Sequence, residues 1–373
     1  MIENSSGELQ EERHGMFRKT RQLRLMCLAS ACGLVAGSAF LCGCGPGSGL
    51  DGDSDLPPAR DAGGDEVDRD RNAKPIVIDS GNARYHHNMG VAHLRHRKYE
   101  KALVSCRKAV ALEPDFAEAH NNMGVACDRL GRNEEALAAF RKAVALKGDY
   151  AEARYNVGRT QAKFGRHADA VVAYAKAVAL KPDFAEAYCS MAFAYCRLGR
   201  HADALAACKK AVTLKPDYVE AYNNMSIACG RLGRHNDSIT ACRKAIALDP
   251  NLAEAHYNMG VAFGELERYA EAIGAYAKAV ALKPDLARAH HNMGSAYGNL
   301  GQYALAISAW TKAVAIEPNH AGAHLNIGLA RARLKQHALA VTAFKKAIAI
   351  DPKSPAADEA REGIRRARAK GKG

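Results

Sequence analysis

Apolar residues occur along this chain in pairs of amphipathic stretches, and the pair recurs every 34 residues. The clearest copy covers residues 253–286. In its first half the apolar residues have the spacing of one helix face: Ala255, Met259, Ala262 and Phe263. The second half repeats that spacing with Ala272, Ile273, Tyr276, Ala279, Val280 and Leu282. Helices of about a dozen residues are marginal alone in water, so we predict that each pair is stabilised by packing against its neighbours.

Proline marks the same period. Seven prolines are spaced by multiples of 34 residues, and a glycine occupies the one missing slot: Pro114, Gly148, Pro182, Pro216, Pro250, Pro284, Pro318 and Pro352. Eight repeats therefore fit without insertion or deletion: 83–116, 117–150, 151–184, 185–218, 219–252, 253–286, 287–320 and 321–354. We number the positions within each repeat from 1 to 34, which puts proline at position 32. Such strict periodicity predicts a repeat array, which needs no central core.

Local chemistry predicts where the helices begin and end. In the second repeat, Asp115 is placed to cap the first helix, and Glu118 three residues later completes a capping box. This box accounts for the glutamates at position 2 better than an acidic groove does: Glu118, Glu152, Glu186, Glu220 and Glu254. Glycine at position 15 predicts the left-handed residue that ends the first helix: Gly131, Gly165, Gly199, Gly233 and Gly301. Proline ends the second helix.

Small and large residues also keep fixed positions. Position 8 is glycine, alanine or serine in every repeat, and position 27 is alanine in all eight. Position 24 is aromatic in five repeats: Phe140, Tyr174, Tyr276, Trp310 and Phe344. With a small residue at position 20 and proline at position 32, this pattern resembles the tetratricopeptide repeat, TPR. The resemblance covers 272 of the 373 residues, although the tryptophan usual at position 4 is replaced by His, Arg or Tyr.

The resemblance implies an all-α fold of the α-solenoid type. Antiparallel helix pairs would stack into a right-handed superhelix, and the first helix of each pair would line a concave groove. A protein or peptide ligand in that groove is the partner that this architecture implies.

Residues 1–44 have the layout of a secretory signal. Residues 25–41 form an uncharged, mostly apolar stretch. It is preceded by the basic residues Arg13, Arg18, Lys19, Arg21 and Arg24. The end, Leu41-Cys42-Gly43-Cys44, resembles a bacterial lipobox with an atypical Cys42, which implies lipid attachment at Cys44. A start of translation at Met16 would give this signal a more ordinary length. An uncleaved membrane anchor is one alternative to a cleaved signal, and a cytoplasmic protein with a mistaken start is the other. The first two interpretations place a membrane-anchored array in the cell envelope, facing the periplasm or the exterior.

Charge is distributed unevenly in a chain whose formal net charge is +13. Residues 45–82 carry nine acidic and four basic side chains and have the composition of a disordered tether. Lysine occupies position 26 in every repeat: Lys108, Lys142, Lys176, Lys210, Lys244, Lys278, Lys312 and Lys346. We expect these lysines on an outer face, where they keep the protein soluble or attract a polyanion. Residues 355–373 are predicted to form a capping helix and a basic tail.

No pattern in the sequence indicates catalysis, a cofactor or a metal. Five cysteines fall at buried positions of the repeats: Cys106, Cys127, Cys208, Cys229 and Cys242. Cys189 and Cys196 are spaced to face the groove, but no CxxC spacing or histidine cluster supports a metal or redox pair there. The histidines recur at positions 4 and 17, which indicates packing, because a catalytic histidine needs a unique surrounding. Phosphate loops and nucleophile elbows do not occur either.

Asparagine at position 6 is the candidate binding site. It occurs in seven repeats, and Ser190 replaces it in the fourth: Asn88, Asn122, Asn156, Asn224, Asn258, Asn292 and Asn326. Asparagine costs a helix up to ~0.7 kcal/mol relative to alanine, so something should offset seven of them. The amide offers both a donor and an acceptor to a peptide backbone. The row resembles the asparagine ladder in the repeat half of O-linked N-acetylglucosamine transferases. The alternative is that the asparagines stabilise neighbouring helices.

We therefore predict a non-enzymatic, membrane-tethered scaffold that binds an extended polypeptide in its groove, similar in general to bacterial TPR lipoproteins. A carboxylate clamp is not supported, because position 5 is never lysine. One alternative is a surface protein that binds a polyanion, whether polysaccharide, lipid or, least expected, nucleic acid. The other is an accessory subunit of a glycosyltransferase, which rests on the ladder alone because the catalytic half of those enzymes has no counterpart here.

Overall fold

The computed structural model describes residues 81–370, and among these residues it contains helices and no strand. The seventeen helices are α1 (Ala83–Arg95), α2 (Tyr99–Leu112), α3 (Ala117–Arg129), α4 (Asn133–Leu146), α5 (Ala151–Lys163), α6 (His167–Leu180), α7 (Ala185–Arg197), α8 (His201–Leu214), α9 (Val219–Arg231), α10 (His235–Leu248), α11 (Ala253–Glu265), α12 (Tyr269–Leu282), α13 (Ala287–Asn299), α14 (Tyr303–Ile316), α15 (Ala321–Arg333), α16 (His337–Ile350) and α17 (Pro355–Lys370). None of these helices is long and apolar enough to cross a bilayer. The leader with Cys44 and the acidic segment up to residue 80 lie outside the described residues.

The described residues fall into two compact units. The N-terminal unit ends at Asn224 and the C-terminal unit begins at Met225, so the boundary lies inside α9. In each unit every repeat is a helix pair, with a first helix (A helix) of 13 residues and a second helix (B helix) of 14 residues. The predicted all-α TPR solenoid is confirmed as the fold class.

Helix contacts define two faces in each unit. Consecutive helices pack against each other from α1 to α8 in the N-terminal unit and from α10 to α17 in the C-terminal unit. The A helices of neighbouring repeats also contact each other, as α1 and α3 do in the N-terminal unit and α11 and α13 do in the C-terminal unit. The backbones of neighbouring B helices make no comparable contact within either unit. We call the surface formed by the A helices the A face and the surface formed by the B helices the B face.

The residue at position 8 is matched in size to the residue at position 24. In the five repeats with an aromatic ring at position 24, position 8 is glycine, and a Cβ added there would lie 2.5 to 2.7 Å from a ring atom. The larger Ala192 and Ser226 occur where position 24 is the smaller Cys208 or Cys242. Alanine at position 27 is fully buried in all eight repeats. The A helix therefore packs closely on the B helix because its glycine at position 8 leaves room for the ring at position 24 of the B helix.

The turn after each A helix needs a left-handed residue. The five glycines predicted for this turn have φ between 72° and 75°, which confirms their role. The other three repeats place Arg97, Glu267 and Lys335 in the same conformation, with φ of 55°, 57° and 60°. A side chain in this region costs about 1 kcal/mol, so packing of the flanking helices has to impose the turn in those repeats.

The predicted capping box at the start of the A helices is wrong. The N-cap of α3 is Phe116, which makes no side-chain hydrogen bond, and Asp115 lies outside the helix. The physical reason is that position 34 is used for packing, since the Phe116 ring lies against His87 with a centroid distance of 4.7 Å. Glu118 instead pairs with Lys147 at position 31 of its own repeat, at 2.9 Å.

Four of the five glutamates at position 2 therefore form an ion pair with the lysine at position 31 of their own repeat. Equivalent pairs join Glu152 to Lys181, Glu186 to Lys215 and Glu254 to Lys283. Partial burial is the largest influence on the pKa of Glu118 and acts to raise it, but the hydrogen bond from Lys147, a backbone hydrogen bond and the charge of Lys147 together hold that pKa below its ordinary value. In the second to fourth repeats the same lysine also lies over the ring at position 34: Lys147 over Tyr150, Lys181 over Phe184 and Lys215 over Tyr218.

Histidine at position 4 fastens the turn between repeats. Nε2 of His120, His256, His290 and His324 lies 3.0 to 3.2 Å from the carbonyl oxygen of the proline at position 32 of the preceding repeat. Because a carbonyl only accepts, Nε2 carries the proton in each case. Arg154 donates to the carbonyl of Gly148 in the same way, at 2.7 Å. The prediction that these histidines serve packing is confirmed.

The last helix, α17, covers the end of the C-terminal unit. Ser354 caps it, since its Oγ accepts from the backbone N–H of Ala357 at 3.2 Å. The helix packs against α15 and α16. Its Ala360 belongs to the same buried cluster as Leu325 and Phe344. In repeat numbering, Leu325 is at position 5 and Ala360 takes the place of position 6.

Candidate functional site

Four of the side chains at position 6 form a hydrogen bond to the preceding repeat. In the N-terminal unit, Asn156 Nδ2 donates to Asn121 Oδ1 at 3.0 Å. In the C-terminal unit, Asn292 Nδ2 donates to Tyr257 Oη at 3.2 Å. Both acceptors are at position 5 of the repeat before, so the bond crosses between neighbouring A helices. The sequence indicates this contact only through the polar residues that recur at position 5.

The two irregular members of the row follow the same rule. Ser190, the one position-6 residue that is not asparagine, has its Oγ 3.4 Å from the Oη of Tyr155. Asn224 donates from Nδ2 to the sulfur of Cys189 at 3.5 Å. The substitution at Ser190 therefore keeps a hydrogen bond to position 5.

Burial separates the seven asparagines into three groups. Asn88 in the first repeat is exposed. Asn224 and Asn326 are buried, with 1% and 9% of their surface exposed. The remaining four are half-buried: Asn122, Asn156, Asn258 and Asn292. Among the described residues these four are the asparagines best placed to meet a ligand, and Asn224 is closed to one.

The contact with position 5 uses only part of each amide. An asparagine side chain has two N–H donors and an oxygen with two lone pairs, and one N–H is spent on the neighbour. That bond fixes how the amide is turned, which lowers the entropy lost when a ligand binds. The stabilising contact considered as the alternative is thus present, and use of the asparagines by a ligand stays a prediction.

Position 5 is itself packed against position 34 of the same repeat. Tyr155 lies against Phe184 with a centroid distance of 4.9 Å, and His291 is stacked on His320 at 4.5 Å. Tyr257 is almost completely buried, and this burial raises its pKa. Packing against position 34 therefore holds the position-5 side chains in place. The sequence pattern did not reveal this role of position 34.

The pair His291 and His320 is built around a neutral imidazole. Burial lowers the pKa of His291 to about 3, and the neighbouring His320 acts in the same direction. His320 accepts the backbone N–H of Ala323 at its Nδ1, at 3.1 Å, and so caps α15. Trp310 also donates from Nε1 to the carbonyl oxygen of His291 at 3.0 Å.

An ion cluster locks the A helices of the second and third repeats together. Asp128 receives Lys163 Nζ at 2.6 Å and Arg159 at 3.3 Å, and its side chain is only 8% exposed. The other repeats have no acid at position 12. A single acid outside the repeat pattern gave no sequence signal for this cluster.

The cysteines of the repeats lie in apolar packing. Burial raises the pKa of Cys106 and of Cys242 to about 12, so both thiols are protonated and poor nucleophiles at neutral pH. Cys189 is buried and Cys196 half-buried. Within residues 81–370 no three His, Cys, Asp or Glu side chains converge in a way that could hold a metal ion.

Comparison with family models places TPR repeats over most of the array. Models described as tetratricopeptide repeat match residues 87–151, 185–218 and 291–355. A model described as TPR repeat matches residues 162–199, 228–267 and 262–301. No curated protein sequence matches this chain.

Solved TPR structures share the fold. The APC/C hetero-tetramer Cut9–Hcn1 contains a chain with a TM-score of 0.53 and 20% identity, over 72% of this chain and 52% of that one, so this chain matches about half of it. YrrB, a TPR protein with an unusual peptide-binding site, has 23% identity and a TM-score of 0.45 over 50% of this chain and 96% of its own. MamA from Desulfovibrio magneticus has 27% identity and a TM-score of 0.43 over 46% of this chain and 97% of its own. By its repeat pattern, its helix pairs and the matching family models, this chain belongs to the tetratricopeptide repeat family.

Proposed function

We propose that this protein is a non-enzymatic scaffold whose A face binds an extended polypeptide through the position-6 asparagines. The TPR fold is consistent with protein–protein interaction. The observation that carries the proposal is a row of half-buried amides, of which Asn156 and Asn292 are seen to be oriented by a hydrogen bond to the repeat before. Oriented amides repeated along an A face match the alternating N–H and C=O groups of an extended peptide backbone.

The bonding capacity of the row supports recognition of backbone in preference to side chains. Neutral amides bind a peptide group with about 0.5–1.5 kcal/mol each, so specificity would come from length and conformation. These contacts do not support an accessory role in glycosyl transfer. That role rests only on the resemblance of the asparagine row to the ladder of O-linked N-acetylglucosamine transferases.

The proposal is tested with a short linear peptide selected on the purified protein from a random library. We expect the double variant Asn122→Ala with Asn156→Ala to bind that peptide about 5- to 150-fold more weakly, the loss of two neutral hydrogen bonds. N-methylation of alternate peptide amides should abolish binding, whereas alanine at most single peptide positions should cost little. Titration calorimetry measures all of these affinities.

Asn224→Ala is the matched control for that experiment. It removes the same amide from a buried site, so it should lower thermal stability and leave the peptide affinity unchanged. If the double variant binds as tightly as the unaltered protein, or if N-methylation is tolerated, the asparagines do not recognise backbone.

We further propose that the array is held at a membrane, outside the cytoplasm, by a lipid on Cys44. The support is the apolar stretch and the lipobox-like sequence of the leader, which lies outside the described residues. Cys44→Ser should abolish incorporation of radiolabelled fatty acid and leave an unprocessed precursor. Cys42→Ser is the control and should be labelled normally. Labelling that survives Cys44→Ser, or a mature chain that retains residues 25–41, would contradict the lipid anchor.

A further inference from the structure

The B face carries a row of lysines that no acid neutralises. The lysine at position 26 is exposed in all eight repeats. None of the eight forms an ion pair with any residue from 81 to 370, whereas the lysines at position 31 in four repeats are paired with glutamate. In the N-terminal unit the row consists of Lys108, Lys142, Lys176 and Lys210, and we call it the cationic strip.

The sequence around the strip excludes neutralisation from the same helix. A lysine on a helix can pair with acids three or four residues away, which here are positions 22, 23, 29 and 30. All four positions are uncharged in every repeat, and positions 20 to 30 contain no acid in any of them. Arg141 and Lys209 add positive charge beside the strip at position 25, and both are exposed. The acids of these B helices are confined to the first turn, where Glu135 pairs with Arg107, so the strip itself carries charge of one sign.

A segment of opposite sign lies just before the array. Residues 51–70 contain eight acidic and two basic side chains: Asp51, Asp53, Asp55, Asp61, Asp65, Glu66, Asp68 and Asp70 against Arg60 and Arg69. About a dozen residues separate this segment from α1, a length that spans at most roughly 40 Å and on average about 20 Å. Attachment at this distance gives the acidic segment an effective concentration near the strip in the millimolar range.

We propose that residues 51–70 dock on the cationic strip of the first three repeats, with their carboxylates against Lys108, Lys142 and Lys176. Charge complementarity and the short connection to α1 select this occupant over a polyanion supplied from outside. The contacts are exposed ion pairs, individually weak and screened by salt, so the docking is the sum of several of them. Docking would keep the strip covered.

Zero-length crosslinking of the full chain tests the docking. A carbodiimide joins a carboxylate to a lysine amine in direct contact, with the released water taken up by the reagent, and peptide mass spectrometry identifies each joined pair. At low salt we expect crosslinks from residues 51–70 to Lys108, Lys142 and Lys176, and fewer to Lys210. Salt at about 0.5 M should reduce their yield at least fivefold, because it shortens the screening length to a few ångström. The pair Lys147–Glu118 is already in contact and serves as the internal standard.

The variant Lys108→Gln with Lys142→Gln should lose most of the crosslinks to the acidic segment while the standard pair is unchanged. The matched control Lys181→Gln removes a lysine that is paired with Glu152, and it should leave those crosslinks in place. Crosslinks spread evenly over all exposed lysines would overturn the proposal, as would their survival at high salt. Mixing light and isotope-labelled chains supplies the last arm, in which crosslinks between different chains would also overturn it.

Discussion

Replacing Gly294 with alanine should destabilise the C-terminal unit by about 1–3 kcal/mol, the cost of overpacking a filled core. The added Cβ would lie 2.7 Å from Cδ1 and from Nε1 of Trp310. That ring has little freedom to move, because it is buried and its Nε1 is bonded to the carbonyl oxygen of His291. The chain contains one tryptophan, so its fluorescence during urea unfolding reports on this repeat directly.

Gly274→Ala is the control, because it makes the same chemical change in a helix where nothing lies within 4 Å of the new Cβ. Helix propensity alone should then stabilise the protein, by up to about 1 kcal/mol. A second variant tests the cause: with Trp310→Cys already present, Gly294→Ala should cost little, since the fourth repeat combines Ala192 with Cys208. Circular dichroism follows unfolding in that background. An equal penalty with and without the tryptophan would show that ring and glycine are not coupled.

Acid should destabilise the C-terminal unit well before its carboxylates titrate. His291 has a pKa of about 3 in the folded protein, against 6.5 as its ordinary value. Between these two values the unfolded chain binds the proton and the folded chain does not. The stability contributed by His291 is therefore complete above pH 6.5 and is lost as pH falls, by about 2 kcal/mol between pH 7 and pH 5.

One histidine is stacked on His291 and another lies near that one, so the measurement has to separate their titration from that of His291. His320 is stacked on His291, and His324, whose pKa is lowered mainly by burial, lies near His320. His291→Tyr should flatten the pH dependence of the urea midpoint, measured by the fluorescence of Trp310. Tyrosine is a suitable replacement because the third repeat already has Tyr155 at position 5, packed against the phenylalanine ring at position 34. Some dependence should remain from His324. A variant with an unchanged slope between pH 7 and pH 5 would place the titrating group elsewhere.

The sequence predicted the period, the helix pairs and the fixed small residues at positions 8 and 27, because these follow from residue size repeated at fixed spacing. It did not predict which polar groups pair. Glu118 can cap its helix or bind Lys147, and the periodicity is the same in both cases. The choice depends on where Phe116 packs, which is a three-dimensional fact.

The candidate site shows the same division. Repetition identified the position-6 asparagines, but their acceptors at Asn121 and Tyr257 differ in chemistry and so produce no repeated pattern. Burial of Asn224 could not be inferred either, because the half-buried Asn258 occupies the same position of its repeat. The ion cluster of Asp128 was missed for the opposite reason, since it occurs once.

Where the bond between positions 6 and 5 forms, one repeat supplies the donor and the repeat before it supplies the acceptor, as Asn156 and Asn121 do. A contact of this head-to-tail kind has no natural end, and copies joined in this way can continue into a filament. In this chain the last acceptor position is Leu325, and the helix that follows presents Ala360 where a donor would stand. At this last interface, apolar packing of Leu325 and Ala360 takes the place of the hydrogen bond between positions 6 and 5. Leu325 and Ala360 thus leave no acceptor and no donor of this kind at the end of the C-terminal unit, so another copy could not continue the row of bonds there.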